Sequence, residues 1–264
     1  MSAAAAERPE GEAQATARRG AIRVEPGPKR VRAVLHGTAV ADTRQPRLVW
    51  ENPHYPSYYF PRADVRTELL VPSTRTERSP SRGDARYFDV QVGERRVADA
   101  AWCYPDSPLE ALRDLIRFEW GAMDAWFEED EEVFTHPRSP FTRVDILPSS
   151  RPVRVEIDGI VLADTNHAHV LHETGLPPRW YVPKVDVRMD LLEPTDTESH
   201  CPYKGQAEYW SARIGDRIET DIAWSYPTPL PESERVAGLV SFYNERVDLF
   251  VDGERASRPH TPFS

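Results

Sequence analysis

The sequence is poor in cysteine, in long apolar runs and in positive charge, and each of these shortages argues against a class of protein. Its 264 residues contain only 2 cysteines, and Cys103 and Cys201 form neither a disulfide framework nor the Cys-x-x-Cys pairs of a structural zinc site. No stretch approaches the ~18 to 20 apolar residues that cross a bilayer. Lys and Arg number 33 against 43 Asp and Glu, and a net charge of −10 argues against broad nucleic-acid binding. We therefore expect a cytoplasmic protein with no nucleic acid, membrane, metal or cofactor among its partners.

Proline is abundant in this sequence and glycine is not, with 25 prolines against 13 glycines. Proline lacks an amide donor and clashes with the preceding helical turn, so long helices are excluded. A hydrophobic fraction of 39% and an aromatic fraction of 10% still provide a core. Residues 1–30 differ from the rest of the chain. Charged residues and Pro9 interrupt their apolar start, so they lack the apolar core of a signal peptide. We expect these residues to be a disordered tail.

An internal repeat organises the rest of the chain. Gly37 recurs as Gly159, 122 residues later, and the same spacing holds without a gap in longer motifs. The matching motifs include ADT at 41–43 and 163–165, DVR at 64–66 and 186–188, and WCYP at 102–105 with WSYP at 224–227. The sequence therefore predicts domains at 31–141 and 153–264, joined by a linker at 142–152. We expect the two copies to pair within the chain as a pseudo-dimer.

Local patterns within each copy are mostly those of β-strands. Residues 153–157 alternate apolar and polar, and Asp158-Gly159 is a hairpin-turn dipeptide. Residues 160–163 then form the second strand of a β-hairpin. Residues 206–214 place Trp210 on one face and Tyr209 on the other. Ser107-Pro108 predicts the start of a short helix, whereas Pro229 to Glu232 is a poorer cap in the second copy. The repeat predicts strand and turn at 123–134, although the sequence of this segment alone would equally support a helix. The prediction is a mainly β protein with at most one short helix in each copy.

Several spaced motifs resemble a known family. They are YVPKVDVR at 181–188, LLEPT at 191–195, HCPYKGQAEY at 200–209, AWSYP at 223–227 and DAWFEEDE at 124–131. Their order and spacing closely resemble the domain-of-unknown-function 427 family, which also carries a nucleotidyltransferase-like name. The resemblance implies two tandem β-tent or Mss4-like domains of coiled antiparallel sheets. Related domains often bind zinc through cysteine pairs that this chain lacks, so metal binding does not carry over.

The repeat also nominates candidate binding residues, since positions kept in both copies serve a shared role. On the strand after Gly83 or Gly205, the apolar face has drifted, while Tyr87 and Tyr209 on the other face are retained. We take that face as the wall of a small-molecule pocket. Two further retained pairs, Trp102 with Trp224 and Tyr104 with Tyr226, either wall the same pocket or belong to the core.

A second candidate feature is an acid and a base two residues apart. Because alternate residues of a strand point to the same side, we expect each acid and its arginine to project from the same strand face. The arginine then anchors an anionic substrate group, or the two form a structural ion pair. The residues concerned are Asp64, Arg66, Asp186 and Arg188.

Only the second copy carries a thiol among cationic groups. Cys201 and Lys204 stand where the first copy has Ser79 and Arg82. Cys201 is the candidate nucleophile and Lys204 stabilises the thiolate or an oxyanion, provided that the chain bends between them. The alternative is an inert, packed thiol. A metal site formed by His167 and His169 is a weaker interpretation, because no carboxylate has matching spacing.

These residues leave three functions open. The first is an enzyme acting on a small anionic metabolite in the second copy, with a small-molecule pocket in each copy. The alternatives are a noncatalytic ligand-binding module and a protein-interaction module. The sequence does not decide whether the protein is an enzyme. A nucleotidyltransferase mechanism is not supported, since there is neither a glycine-rich phosphate loop nor a metal-binding carboxylate pair.

Overall fold

The structure, a computed structural model, describes residues 22–261 and consists mainly of antiparallel strands. Strands β1 to β11 belong to the first copy. They are Arg23–Pro26, Val31–Leu35, Thr38–Thr43, Arg47–Trp50, Ser57–Pro61, Leu70–Ser79, Gly83–Val92, Arg95–Cys103, Leu115–Phe118, Ala125–Glu128 and Glu131–Glu132. Strands β12 to β22 belong to the second copy. They are Val144–Pro148, Val153–Ile157, Ile160–Thr165, His169–Glu173, Arg179–Val182, Leu192–Cys201, Gly205–Ile214, Arg217–Ser225, Val240–Phe242, Asp248–Val251 and Glu254–Arg255.

The helices in residues 22–261 are all short and of the 3-10 type. In the first copy they are Arg62–Asp64, Thr67–Leu69, Glu110–Leu112 and Trp120–Ala122. In the second copy they are Lys184–Asp186, Met189–Leu191 and Pro231–Val236. None of these helices is long enough to cross a membrane.

Each copy contains a seven-stranded antiparallel sheet, and the strand order is the same in both. The order is β1-β4-β5-β9-β8-β7-β6 in the first copy and β12-β15-β16-β20-β19-β18-β17 in the second. Hairpins β2–β3 and β13–β14 also correspond. The predicted mainly β fold and tandem duplication are therefore confirmed. The Asp158-Gly159 hairpin turn is confirmed as well, with both residues at positive φ.

Irregularities of the strands repeat at the same spacing as the sequence. A bulge between Phe88 and Val90 in β7 recurs between Trp210 and Ala212 in β18. On the neighbouring strand β19, Asp221 has φ 49°, and its carboxylate accepts a hydrogen bond from Thr195 Oγ1 at 2.8 Å. Bulges re-aim side chains, so these shared positions preserve the geometry of the sheet face in both copies.

The seven-stranded sheet of the second copy separates two clusters of side chains. Trp210 and Ala212 of β18 pack in a core with β13 and β14, whereas Ala207 of the same strand packs with Trp224 and Tyr226. Alternate residues of a strand point to opposite faces, so the predicted division of residues 206–214 into two faces is confirmed.

The repeat begins earlier than the sequence motifs suggested. Residues 1–21 of the predicted tail 1–30 lie outside the described residues. Strand β1 lies within the same predicted tail and pairs with β4 over four residues. Its counterpart β12 lies in the predicted linker 142–152 and pairs with β15. Both are sheet strands because their backbone groups are satisfied by a neighbour. Contacts divide the chain into two compact units, with the division between Asp124 and Ala125.

The predicted short helices differ in detail. The Ser107 hydroxyl accepts the Leu109 N–H at 3.1 Å, which makes a turn, and the 3-10 helix begins only at Glu110. The second copy has the longer helix, Pro231–Val236, because Pro231 sits in its first turn, where the missing N–H is harmless. The strand and turn expected at 123–134 are confirmed as the hairpin β10–β11.

Candidate functional site

One face of the second sheet carries a row of residues in register across four strands. Tyr181 of β16 lies opposite Ser241 of β20, which lies opposite Trp224 of β19, which lies opposite Tyr209 of β18. Residues directly opposite one another in a sheet project to the same side. The retained residues Tyr209 and Trp224 are therefore brought together, and Trp224 Nε1 donates a hydrogen bond to the Tyr181 hydroxyl at 3.2 Å.

The turn at one end of this face carries Cys201 and Lys204. It joins β17 to β18, with Cys201 opposite Gly205 and the Lys204 N–H donating to the Cys201 carbonyl at 3.3 Å. Gly205 has φ +96°, a conformation that side chains rarely adopt, so glycine allows the chain to bend here. The bend required by the sequence analysis is therefore present. Cys201 packs against the cluster that contains Trp224 and Tyr226.

Lys204 forms a buried ion pair beside Cys201. Its Nζ lies 2.5 Å from Oε2 of Glu173 on β15, and the two side chains are 10% and 11% exposed. Burial disfavours the charged ammonium, but Cys201 and Glu173 outweigh it and raise the pKa of Lys204. Lys204 is therefore a permanent cation at neutral pH, which suits it to stabilise an anionic sulfur or oxygen.

Tyrosine hydroxyls surround the pair. Burial raises the pKa of Tyr226 well above its usual value, and the neighbouring Tyr181 and Cys201 add to this shift. Burial likewise raises the pKa of Tyr181. Tyr209 shares a hydrogen bond of 2.6 Å with Ser199 Oγ. Tyr181 and Tyr226 therefore remain neutral and can donate or accept hydrogen bonds.

The first copy has the same arrangement without a thiol. Glu51, 122 residues before Glu173, accepts hydrogen bonds from Tyr59 and from Arg117, whose Nη1 lies 2.5 Å away. Arg82, the counterpart of Lys204, lies 3.1 Å from the same carboxylate. Two arginines and a tyrosine thus bind this carboxylate in the first copy.

The remaining first-copy candidates meet at the same place. Arg82 donates a hydrogen bond to the Tyr104 hydroxyl at 3.0 Å, and Arg117 covers the Trp102 ring at 4.5 Å. Tyr87 packs against Trp102 with ring centres 5.4 Å apart. Burial raises the pKa of Tyr87 to about 12, with a contribution from the carboxylate it donates to.

Besides the replacement of Ser79 and Arg82 by Cys201 and Lys204, one cross-strand position differs between the two sites. Arg117 lies opposite both Tyr59 and Trp102, and Ser241 takes the corresponding position opposite Tyr181 and Trp224. The second copy thus replaces an arginine by a small hydroxyl. Ser241 is fully buried, and its hydroxyl has no hydrogen-bond partner within residues 22–261. Such a group is uncommon in proteins and calls for a bound water or ligand.

A different arginine lies over the tryptophan of the second copy, where Arg117 has no equivalent. Arg179 of β16 lies 5.6 Å from the Trp224 ring and makes a bidentate pair with Glu245 at 2.7 and 2.6 Å. Tyr243 packs on the same ring with centres 4.5 Å apart. These residues were not predictable from the sequence, because no counterpart in the first copy pointed to them.

The acid and base pairs do not join this site. Asp186 ends a 3-10 helix rather than lying on a strand, and it accepts a hydrogen bond from Thr165 Oγ1 at 2.7 Å. Arg188 pairs bidentately with Asp190 at 2.8 and 2.6 Å. Val187 between them packs in the core on the other sheet face. The shared strand face was therefore a wrong prediction, because Pro183 is followed by two consecutive 3-10 turns.

The corresponding residues of the first copy behave alike. Asp64 accepts a hydrogen bond from Thr43 Oγ1 at 2.5 Å, and Arg66 pairs with exposed Glu68 at 2.9 Å. Asp64 also lines a surface depression of about 340 Å³. The other residues of that depression are Arg30, Asp42, Arg44 and Gln45.

The histidines of the second copy are spread over separate surroundings. His167 precedes β15 and its N–H donates to Thr165, whereas the ring of His200 stacks on Phe134 at 5.4 Å. Within the described part of the chain, no group of three or more His, Cys, Asp or Glu side chains could hold a metal ion.

Glu51 and Glu173 are the main functional candidates that the sequence analysis overlooked. The signal was present, since both are glutamate at the repeat spacing of 122. They were not singled out because the residues around them differ between the copies. A carboxylate beside a retained cation becomes evident only when β15 is placed next to the turn that carries Lys204.

Comparison with known proteins supports the duplication. A family model described as a domain of unknown function, DUF427, matches residues 23–129 and 145–253. The two matches begin 122 residues apart, at the strands β1 and β12. No curated protein matches the chain.

Proposed function

The chain belongs to the DUF427 family as two tandem domains, and from this premise we propose that the second domain binds and acts on a small molecule. The proposal is supported chiefly by one observation: the turn between β17 and β18 brings Cys201 and Lys204 to Glu173 beside two neutral tyrosines. The proposed catalytic residues are Cys201 as nucleophile and Lys204 as the cation that stabilises the thiolate.

The proposed chemistry is attack of the Cys201 thiolate on an electrophilic carbon, such as a carbonyl. The Cys201 thiol first loses its proton to solvent. The sulfur electron pair then forms the S–C bond, the carbonyl π electrons move to oxygen, and Lys204 donates a hydrogen bond to that oxyanion. Glu173 positions Lys204 through their 2.5 Å contact. The unpartnered Ser241 hydroxyl and the faces of Tyr209, Trp224 and Tyr226 would bind the rest of the ligand.

The substrate we propose is a small anionic metabolite, with Lys204 rather than Arg188 as its nearest cation. Arg188 is already paired with Asp190 and does not join the site. In the first copy we propose a pocket of reduced function, because Arg82 and Arg117 occupy the carboxylate of Glu51.

A noncatalytic binding module is the second candidate function. It is favoured by the first copy, which retains the carboxylate, the cation and the aromatic residues but has Ser79 where the second copy has Cys201. What both copies share is thus a buried charge pair walled by aromatic rings. If the protein is instead a protein-interaction module, mutation of this site should leave partner binding intact.

A thermal-shift screen of a metabolite library separates these functions. At least one compound should raise the melting temperature of wild type and of Arg82→Met, but not of Lys204→Met. Equal shifts in all three proteins, or no shift, would contradict a site in the second copy. For a compound that binds, loss of turnover in Cys201→Ser indicates thiol catalysis, whereas unchanged behaviour indicates binding alone.

The remaining proposals concern partners and location. The net charge of −10 supports a protein that does not bind nucleic acid, and a count of only 2 cysteines supports a cytoplasmic one. Two tandem domains allow pairing within one chain, and we propose such a pseudo-dimer. Small-angle scattering that shows two independently moving lobes would contradict it.

A further inference from the structure

A segment between the two family matches contacts the turn that carries Cys201. This strap, residues 134–139, follows the first match at 129 and precedes the second at 145. It belongs to the second compact unit. Thr135 Oγ1 donates a hydrogen bond to the His200 carbonyl at 2.8 Å, and the Phe134 ring stacks on the His200 ring.

The far end of the strap is attached to Tyr203 in the same turn. The Ser139 N–H donates to the Tyr203 hydroxyl at 2.6 Å, and both residues are buried. The His136 ring meets the Tyr203 ring edge-on with centres 6.4 Å apart. The strap is therefore fixed at both ends to the residues on either side of Cys201.

Backbone strain marks the strap as more than a passive connection. Thr135 has φ 71°, and a β-branched residue in this left-handed region is a genuine outlier. Strained residues persist where surrounding contacts hold them, and they concentrate at ligand sites and switch regions. The hydrogen bond from Thr135 to His200 supplies such a contact.

Two groups connect the strap to the charge pair. Burial raises the pKa of Tyr203, and Cys201 and Glu173 both contribute in the same direction. Burial lowers the pKa of His136, although its bond to the Pro137 carbonyl and the charge on Glu173 oppose this shift. Both side chains are therefore within electrostatic reach of Glu173, the partner of Lys204.

We propose that the strap is the specificity-determining wall of the second site, so that its contacts with the turn set the size of molecule that reaches Cys201. This inference rests on the proposed function of Cys201 and Lys204. It adds that residues outside both domain matches select the ligand. Small electrophiles pass beneath the closed strap, whereas larger ones react only when it is released from His200 and Tyr203.

Thiol reagents of two sizes test the inference on the full chain. Iodoacetamide and a bulky aryl maleimide are reacted with wild type, Thr135→Ala and Tyr203→Phe, and labelling of Cys201 is followed by peptide mass spectrometry. Each variant removes one strap hydrogen bond, so the maleimide rate should rise about fivefold, while the iodoacetamide rate changes little. Melting temperatures confirm that the variants are folded.

Ser233→Ala is the matched control. The Ser233 hydroxyl donates to the Tyr203 carbonyl at 3.1 Å from the helix Pro231–Val236, so this variant loosens the turn without touching the strap. The control should retain the wild-type preference for the smaller reagent. Unchanged maleimide rates in both strap variants, or an equal rise in the control, would overturn the inference. Neither result depends on whether a metabolite binds through Lys204, so failure here is distinct from failure of the proposed function.

Discussion

Lys204 Nζ lies 2.5 Å from Glu173 Oε2, and Arg82 and Glu51 form the corresponding pair in the first copy. A charge pair is thus retained at the repeat spacing although the cation has changed from arginine to lysine. The lysine pair is the more buried of the two. Cys201 acts on the lysine pair and raises the pKa of Lys204, whereas the carboxylate of the arginine pair also binds a second arginine, Arg117.

Breaking the pair in the second copy should be strongly destabilising. Removing either charge, in Glu173→Gln or Lys204→Met, leaves the other buried, and we expect a loss of about 3 to 5 kcal/mol in the free energy of unfolding. The double variant should lose less than the sum of the singles. Urea denaturation measures all three.

The exposed pair between Arg213 and Glu193 provides the control, since its side chains are about half exposed. Glu193→Gln should change the free energy of unfolding by less than about 1 kcal/mol. A comparable loss in Glu193→Gln and Glu173→Gln would contradict a special role for burial.

The bend at Gly205 should be intolerant of a side chain. At φ +96° an added Cβ would lie 3.4 Å from the Thr228 carbonyl oxygen, so Gly205→Ala adds crowding to backbone strain. We expect a loss of more than about 1 kcal/mol and slower alkylation of Cys201. Gly215, with φ +60° and open space around it, is the control for strain alone. Equal losses in Gly205→Ala and Gly215→Ala would show that crowding is unimportant.

Alkaline pH should destabilise the second domain. The pKa values of Tyr226, Tyr181 and Lys204 are raised in the folded protein, so their stabilisation is complete below the unfolded pKa, about 10, and is lost as pH rises through the folded values. Each group contributes a slope of at most about 1.4 kcal/mol per pH unit. Urea unfolding between pH 8 and 11 measures this decline. Tyr226→Phe should show a shallower decline, and an identical one would contradict the assignment.

The fold was largely predictable from sequence because the duplication supplied a second reading of every motif. Alternating residues, the Asp158-Gly159 turn and the retained motifs all predicted strands that the structure contains. Strands β1 and β12 were missed because their short sequences carry no shared motif. Their pairing with β4 and β15 depends on neighbours distant in sequence.

The candidate site was predictable only in part. Residues selected because both copies retain them, such as Tyr209 and Trp224, lie together as the sheet register requires. Asp186 and Arg188 were misplaced because consecutive 3-10 turns interrupt the strand pattern there. Glu173 and Ser241 come from other strands, and only the sheet order brings them beside Trp224 and Lys204.

The most direct test of the central claim is the rate at which iodoacetamide alkylates Cys201 in wild type and in Lys204→Met. Cys103 is an internal reference, since it is buried and its burial raises the pKa of the thiol. Cys201 should react much faster than Cys103 in wild type, and most of this difference in rate should be lost in Lys204→Met. Equal rates for the two cysteines, or a Cys201 rate unchanged by Lys204→Met, would contradict a reactive thiol held by the Glu173–Lys204 pair.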